Sequence, residues 1–345
     1  MAESSMLRFF QATMMAASLA AAAVLSGAAS AQTLEWRFNN SYAPTRTESG
    51  HIRNFVNAIN ERAAGKLRVQ LLEGGAMGLR DADALRWMLQ GTPELSFIWS
   101  PFLGRDAPDL ASIYVYGLIG NEAEHRRALP AVQAALKDGL TRRDVEVIGF
   151  MGLGLLDATL FCRQPVTNLE ELKRVKLRVG TRDQIETFRQ LGVAAQFIAQ
   201  NELYAAMQTG VVDCALYPPQ IAHTISLQEV AKHAVSTGFP FAPTPYAMIA
   251  NKQRWAALPA DMKAVVQGAI ADLEKASFDF SQDAAGFAAA QERLKGQGVT
   301  FHPPLGEADR AALRAAALKS WETIMAEAGP QAVQYRQSVL RALNP

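Results

Sequence analysis

Val175-Lys-Leu-Arg-Val-Gly-Thr-Arg-Asp-Gln-Ile-Glu-Thr-Phe-Arg-Gln-Leu191 changes its hydrophobic period midway. Val175, Leu177 and Val179 alternate with polar neighbours, as in a strand, whereas Ile185, Phe188 and Leu191 recur at helical spacing. Thr181 with Gln184 fits a capping box at the helix start. The same order follows downstream. Ala195–Ala199 reads as a strand, and Asn201 caps a helix through Thr209 that Gly210 ends. Val211–Tyr217 is a strand stopped by Pro218-Pro219. The short connections are typical of packed βα units. Parallel α/β sheets bind ligands beyond the carboxyl ends of their strands, and Arg178, Thr181, Arg182 and Tyr217 fall near such ends.

The amino-terminal half has the same texture. Leu34, Trp36 and Phe38 mark a strand, and Ile52, Phe55, Val56 and Ile59 a helix. Leu67, Val69 and Leu71 mark the next strand, and Leu79–Leu89 a helix after the loop Gly74–Gly78. Leu95–Trp99, Ser112–Tyr116 and Val145–Phe150 read as further strands around a helix from Glu122 to Lys137. From Pro259 to Lys295 the pattern is helical without an internal proline; about 36 residues would reach about 54 Å and cross both domains. A strand at Val299–His302 and helices over 306–328 and 331–342 finish the chain. The pattern predicts two α/β domains: 32–155 with 238–282, and 156–237 with 283–345. The chain would cross between them near Gly154 and Gly238, which accounts for the missing linker.

The 345 residues are 49% hydrophobic and 19% charged, a globular composition. A net charge of +1 without basic clusters argues against a nucleic-acid partner. Residues 1–31 read as a secretory signal peptide: an apolar run from Ala12 to Leu25, then Ala29-Ser30-Ala31 as an A-x-A cleavage site. The mature chain would begin at Gln32 as a soluble, monomeric, periplasmic protein. Nucleotide cofactors are scarce there, so no cofactor is expected. The five histidines lack metal-ligand spacing, and no metal is expected. Neither a G-x-S-x-G element nor a Cys/His nucleophile context occurs, which leaves no catalytic constellation. Cys162 and Cys214 lie in apolar, strand-like contexts, and the pattern favours two separate thiols over a bridge.

Arg178 interrupts the apolar strand between Leu177 and Val179. It is either the solvent side of that strand, like Lys176, or a guanidinium fork for a carboxylate. Trp99, Tyr217 and Phe239 stand at strand ends or in loops, where they are either core or the walls of an apolar pocket. With Asn39, Ser100 and Thr181 they complete the candidate ligand-binding set.

Leu169–Val179 resembles the "edLkGlkiRvp" signature of solute receptors of tripartite ATP-independent periplasmic (TRAP) transporters, and Asn201–Asp213 resembles their "sEvYtALqtGvvDg" signature. The spacing between the blocks also matches. The loop Gly74–Gly78, Leu258-Pro259 before a helix, and the terminal Leu343-Asn344-Pro345 fit as well. The resemblance implies a bilobal periplasmic binding protein: two α/β domains with hinge strands and a long domain-spanning helix, closing over a small organic acid for TRAP membrane subunits. Arg178 matches the family arginine that pairs with the ligand carboxylate. Two departures stand out. Leu156-Asp157-Ala158 replaces a segment that often carries a second arginine, and Tyr217 replaces a usual asparagine. Both favour a monocarboxylate with a bulkier or apolar body. A secreted enzyme or a sensor receptor on a similar scaffold is the competing reading.

Overall fold

The computed structural model describes residues 33–241 and 244–344. The expected signal peptide lies outside them. Among the described residues, no helix is long and apolar enough to cross a membrane.

Two sheets organise the chain. The first contains β1 (Leu34–Asn39), β2 (Leu67–Leu72), β3 (Leu95–Trp99), β4 (Val145–Met151) and β10 (Tyr246–Asn251), ordered β2-β1-β3-β10-β4. β1 runs parallel to β2 and β3, while β10 is antiparallel to β3 and β4. The second contains β5 (Asp157–Cys162), β6 (Lys176–Val179), β7 (Ala194–Phe197), β8 (Cys214–Tyr217), β9 (His233–Pro240) and β11 (Thr300–Phe301), ordered β11-β9-β5-β8-β6-β7. β6 is parallel to both neighbours. Each sheet is covered by helices whose apolar stripes fill separate cores, as α/β layers require. The helix Thr47–Arg62 buries Ile52, Phe55, Val56 and Ile59 on the first sheet. The helix Arg182–Gln190 buries Phe188 on the second.

The chain passes between the lobes several times. After β4, residues 152–156 lead into β5, and Phe241 at the end of β9 donates its backbone N–H to Leu156 at 2.8 Å. Gly152 lies so close to the helix Ala260–Ser277 that a Cβ there would sit 2.3 Å from the Ser277 carbonyl oxygen, so only glycine fits without backbone movement.

Several expectations meet a different local structure. The helical run from Pro259 is two helices, Ala260–Ser277 and Asp283–Gly296. Phe278 and Phe280 turn into the first lobe, Phe280 packing edge-on against His125, while Asp279 accepts the Ser281 N–H at 3.0 Å in a local turn. The first helix packs on the first lobe, and the second on the helical turn Pro219–Ala222 of the other. Ser112–Tyr116 is buried but is not a strand. Its backbone groups pair with side chains instead: Trp321 Nε1 donates to the Ser112 carbonyl, Thr244 Oγ1 to that of Tyr114, and the Tyr116 N–H donates to Asp183. Those bonds satisfy a buried backbone as a ladder would. The terminal helix Pro330–Leu343, expected in the second domain, packs its Tyr335, Val339 and Leu343 in the first lobe's core, against the helix Glu122–Thr141.

Cys162 and Cys214 form a disulfide, contrary to the separate thiols expected from sequence. The antiparallel register of β5 and β8 places them directly opposite one another, although 52 residues separate them along the chain. That adjacency is a property of sheet order and is invisible in a one-dimensional pattern.

Candidate functional site

β6 carries Arg178 into the second lobe's interior. Leu177 and Val179 enter the core beneath the sheet, so Arg178 emerges on the opposite face, beside Ala215 and on the same side as Tyr217 of β8. Arg178 is 4% exposed. Its Nε donates to the Ile198 carbonyl at 2.8 Å, and Nη1 makes a long 3.5 Å contact to that of Leu216. Its Cζ lies 5.8 Å from the Tyr217 ring centroid. No carboxylate pairs with Arg178 among the described residues. A guanidinium has five N–H donors, so donors remain free. Burial pushes its pKa down to about 10, which leaves it charged at neutral pH. It is a desolvated cation without a counter-ion, and a carboxylate would complete it. The solvent-side reading of this position is therefore excluded.

Tyr217 is buried, and its phenolic oxygen has no hydrogen-bond partner among the described residues. Burial raises its pKa to about 12, against the pull of Arg178 and Arg46. It remains a neutral donor at pH 7. Phe241 stands edge-on to Tyr217 at 6.2 Å. Phe239, expected beside the ligand, instead packs against Tyr116 in the core on the sheet's other face. The side-chain alternation of β9 sends it there.

Trp99, at the end of β3, is half-buried between Phe102 and Tyr246, and Nε1 donates to the Thr244 carbonyl at 3.2 Å. Asn39 and Ser100 stand at the carboxyl ends of β1 and β3. Both are buried, and Asn39 Oδ1 and Ser100 Oγ lack partners among the described residues. Unpaired buried polar groups are costly and mark places where a polar ligand gains most. Thr181 begins the helix Arg182–Gln190 without a side-chain cap bond, so the expected capping box is not formed. Gln184 Oε1 instead accepts the Gly180 N–H at 2.9 Å. Thr181 Oγ1 is buried near the Asp183 carboxylate without a well-formed hydrogen bond. Thr181 lines a pocket of about 250 Å3 with Arg182, Ser112 and Pro101; Arg178 is not in its wall.

Sequence reasoning missed the first lobe's contribution. Arg46 lies against the Tyr42 ring at 4.1 Å and is ion-paired with Glu48 through both Nη2 and Nε. Tyr246 Oη donates to Glu48 at 3.2 Å, and Tyr42, Phe97 and Tyr246 form an aromatic cluster continuous with Trp99. Arg178 and Arg46 both pull the Tyr217 phenol down against the effect of its burial. The Arg46-x-Glu48 spacing at a helix start was readable but resembles ordinary surface pairing. Arg182, near the same strand end as Arg178, is exposed and bridges to Glu327 at 2.9 Å. Among the described residues, no group of three or more metal-ligating side chains occurs.

Residues 38–328 match the family described as bacterial extracellular solute-binding protein, family 7. A solute-binding protein of Sulfitobacter sp. strain NAS-14.1 is 29% identical over 260 residues, covering 74% of each chain. The C4-dicarboxylate-binding periplasmic protein of Rhodobacter capsulatus is 31% identical over 190 residues, 52% of each chain. Among solved structures, an extracytoplasmic solute receptor of Bordetella pertussis binding pyroglutamic acid superposes with a TM-score of 0.77 at 19% identity, covering 91% of this chain and all of that one. A TRAP periplasmic solute-binding protein of Desulfovibrio salexigens with bound orotic acid gives 0.76 at 21% identity, covering 90% of this chain and 100% of that one. At such identities these structures speak to the fold, which is the bilobal one.

Proposed function

This chain belongs to the bacterial extracellular solute-binding proteins of family 7, and we propose that it captures a small organic monocarboxylate on Arg178 and delivers it to the membrane subunits of a TRAP transporter. The likeness to TRAP solute receptors read from the signature blocks is borne out, and the family is one of transport receptors rather than enzymes. The observation that carries the proposal is Arg178: a buried cation with free N–H donors and no acidic partner among the described residues. Tyr217 and Phe241 supply flat apolar surface beside it, and Trp99 would add surface from the first lobe, which suits a ring or a branched apolar body. Asn39, Ser100 and Thr181 offer polar atoms for its remaining oxygens. Contacts from both lobes favour the closed form through differential affinity, with the crossovers near Gly154 and Gly238 as the hinge. Export through residues 1–31, a start at Gln32 and a monomeric state belong to the same proposal, and intact-mass and light-scattering measurements on periplasmic material test them.

A thermal-shift screen of organic acids, followed by isothermal titration of wild type and Arg178→Ala, tests the anchor. Truncating one partner of a desolvated charge pair costs about 2–5 kcal/mol, so affinity should fall roughly thirtyfold or more. Near-wild-type affinity in a folded Arg178→Ala protein would remove Arg178 from the site. Small-angle scattering with the acid found should show a smaller radius of gyration.

A further inference from the structure

Each lobe brings a guanidinium to the end of a strand, Arg178 5.8 Å from the Tyr217 ring and Arg46 4.1 Å from the Tyr42 ring, and only one is uncompensated. Arg178 has no carboxylate partner among the described residues, whereas Arg46 is clamped by Glu48. Glu48 is 7% exposed and also accepts the Tyr246 hydroxyl, so it is fixed from two sides. Asp81 lies on the same side, close to Tyr42, and accepts the Ser41 hydroxyl at 3.0 Å. At neutral pH the second-lobe wall carries one free positive charge. The first lobe sets Arg46 against Glu48 and Asp81, with burial raising the Asp81 pKa, and Arg53 beside them is already paired with Glu73. A ligand with one carboxylate balances Arg178. A second carboxylate would face Glu48 and Asp81, or would have to take Arg46 away from Glu48 and leave that acid buried and unpaired. Both routes are expensive.

We propose that Glu48 is a specificity-determining residue: by holding Arg46 in an ion pair, it denies the second guanidinium to the ligand and makes the receptor reject dicarboxylates. This rests on Arg178 being the carboxylate anchor. Burial works to raise the Glu48 pKa, but its bonds to Arg46 and Tyr246 prevail and hold it below the usual range, so the pair persists under mildly acidic conditions. Glu48 stands in the first turn of the helix Thr47–Arg62, just past the carboxyl end of β1, where ligands meet this kind of sheet.

Glu48→Gln keeps the length and an acceptor for Arg46 but removes the negative charge. Isothermal titration of wild type, Glu48→Gln and the double variant Arg46→Met/Glu48→Gln would use matched probes: benzoate against phthalate, and pentanoate against glutarate. Circular dichroism of each variant gives the folded fraction to which the titrations are referred. The expected result is at least about a tenfold gain for the dicarboxylates in Glu48→Gln, ~1.4 kcal/mol, with a smaller change for the monocarboxylates. The gain should vanish in the double variant, which has no second cation to offer. Equal dicarboxylate binding in wild type and Glu48→Gln, or none in either, overturns the proposal. So does a gain that survives in the double variant. Arg178→Ala separates the two ideas. If it abolishes monocarboxylate binding while Glu48→Gln leaves dicarboxylates unchanged, the anchor stands and the charge filter falls. If Arg178→Ala binds normally, the anchor falls and the filter with it.

Discussion

Replacing Arg178 with methionine should leave the ligand-free protein about as stable as wild type while destroying its affinity. The guanidinium is 4% exposed, and burial lowers its pKa well below its ordinary value, to about 10. At 1.36 kcal/mol per pKa unit, that corresponds to roughly 3 kcal/mol of penalty on the charged form. Against it stands the hydrogen bond from the charged guanidinium to Ile198, worth about 1.5–3 kcal/mol, while the long contact to Leu216 adds little. Methionine fills most of the volume and adapts to the gap, so the cavity cost is small. The two nearly cancel, so the net change in the unliganded protein should stay below about 1 kcal/mol, read as a nearly unchanged urea midpoint at unchanged slope. Binding sites carry such unfavourable groups because the ligand offsets them. Wild type with a saturating acid should therefore overtake Arg178→Met, whose midpoint should not respond to ligand. A variant destabilised by more than about 1 kcal/mol without ligand, or one still stabilised by ligand, would refute the view that Arg178 is an unpaired cation awaiting a carboxylate.

Further outcomes follow from the same structure. Reducing Cys162–Cys214 closes no alternative bridge, and it should cost about 2–4 kcal/mol because 52 residues of chain are released in the unfolded state; urea curves with and without dithiothreitol measure this. His125 is buried beside Tyr114, and burial, aided by Arg126, lowers its pKa from 6.5 to about 4. A base depressed in the folded state contributes stability above pH 6.5 that is lost as the pH falls toward 4. The loss reaches roughly 3 kcal/mol, and most of it should be absent in His125→Gln when the urea midpoints are compared. Tyr217→Phe removes a phenol with no partner among the described residues, so unliganded stability should change by less than about 1 kcal/mol. Its affinity for the acid should fall several-fold, and an unchanged affinity by calorimetry would place the phenol outside the contact.

The elements around Arg178 were legible because their signals are local. Leu177 and Val179 alternate around it, and Phe188 and Leu191 follow at helical spacing, so β6 and the next helix could be placed from the chain alone. The run after Pro259 shows where local reading fails. Its residues are helical on both sides of Phe278, and the break comes from the depth at which Phe278 and Phe280 bury and from Gly152 crossing against Ser277. Ser112–Tyr116 has the apolar content of a strand, but its backbone partners are side chains from Trp321, Thr244 and Asp183.

Sequence by itself determined the two α/β units, the family, and the strand that carries Arg178, since hydrophobic period and signature spacing are written along the chain. Tertiary structure alone decided which charges are compensated. Arg178 and Arg46 are the same residue type, both near strand ends or helix starts. One faces backbone carbonyls and a phenol, and the other meets Glu48 two residues away. Pairing depends on distances of a few ångströms between side chains from different strands and lobes. The same holds for Cys162 and Cys214, which strand order brings together across 52 residues. Phe239 lies within β9 and enters the core, whereas Phe241 lies just past the strand's end, packs at the edge of the same core and reaches Tyr217, a difference set by where the strand stops.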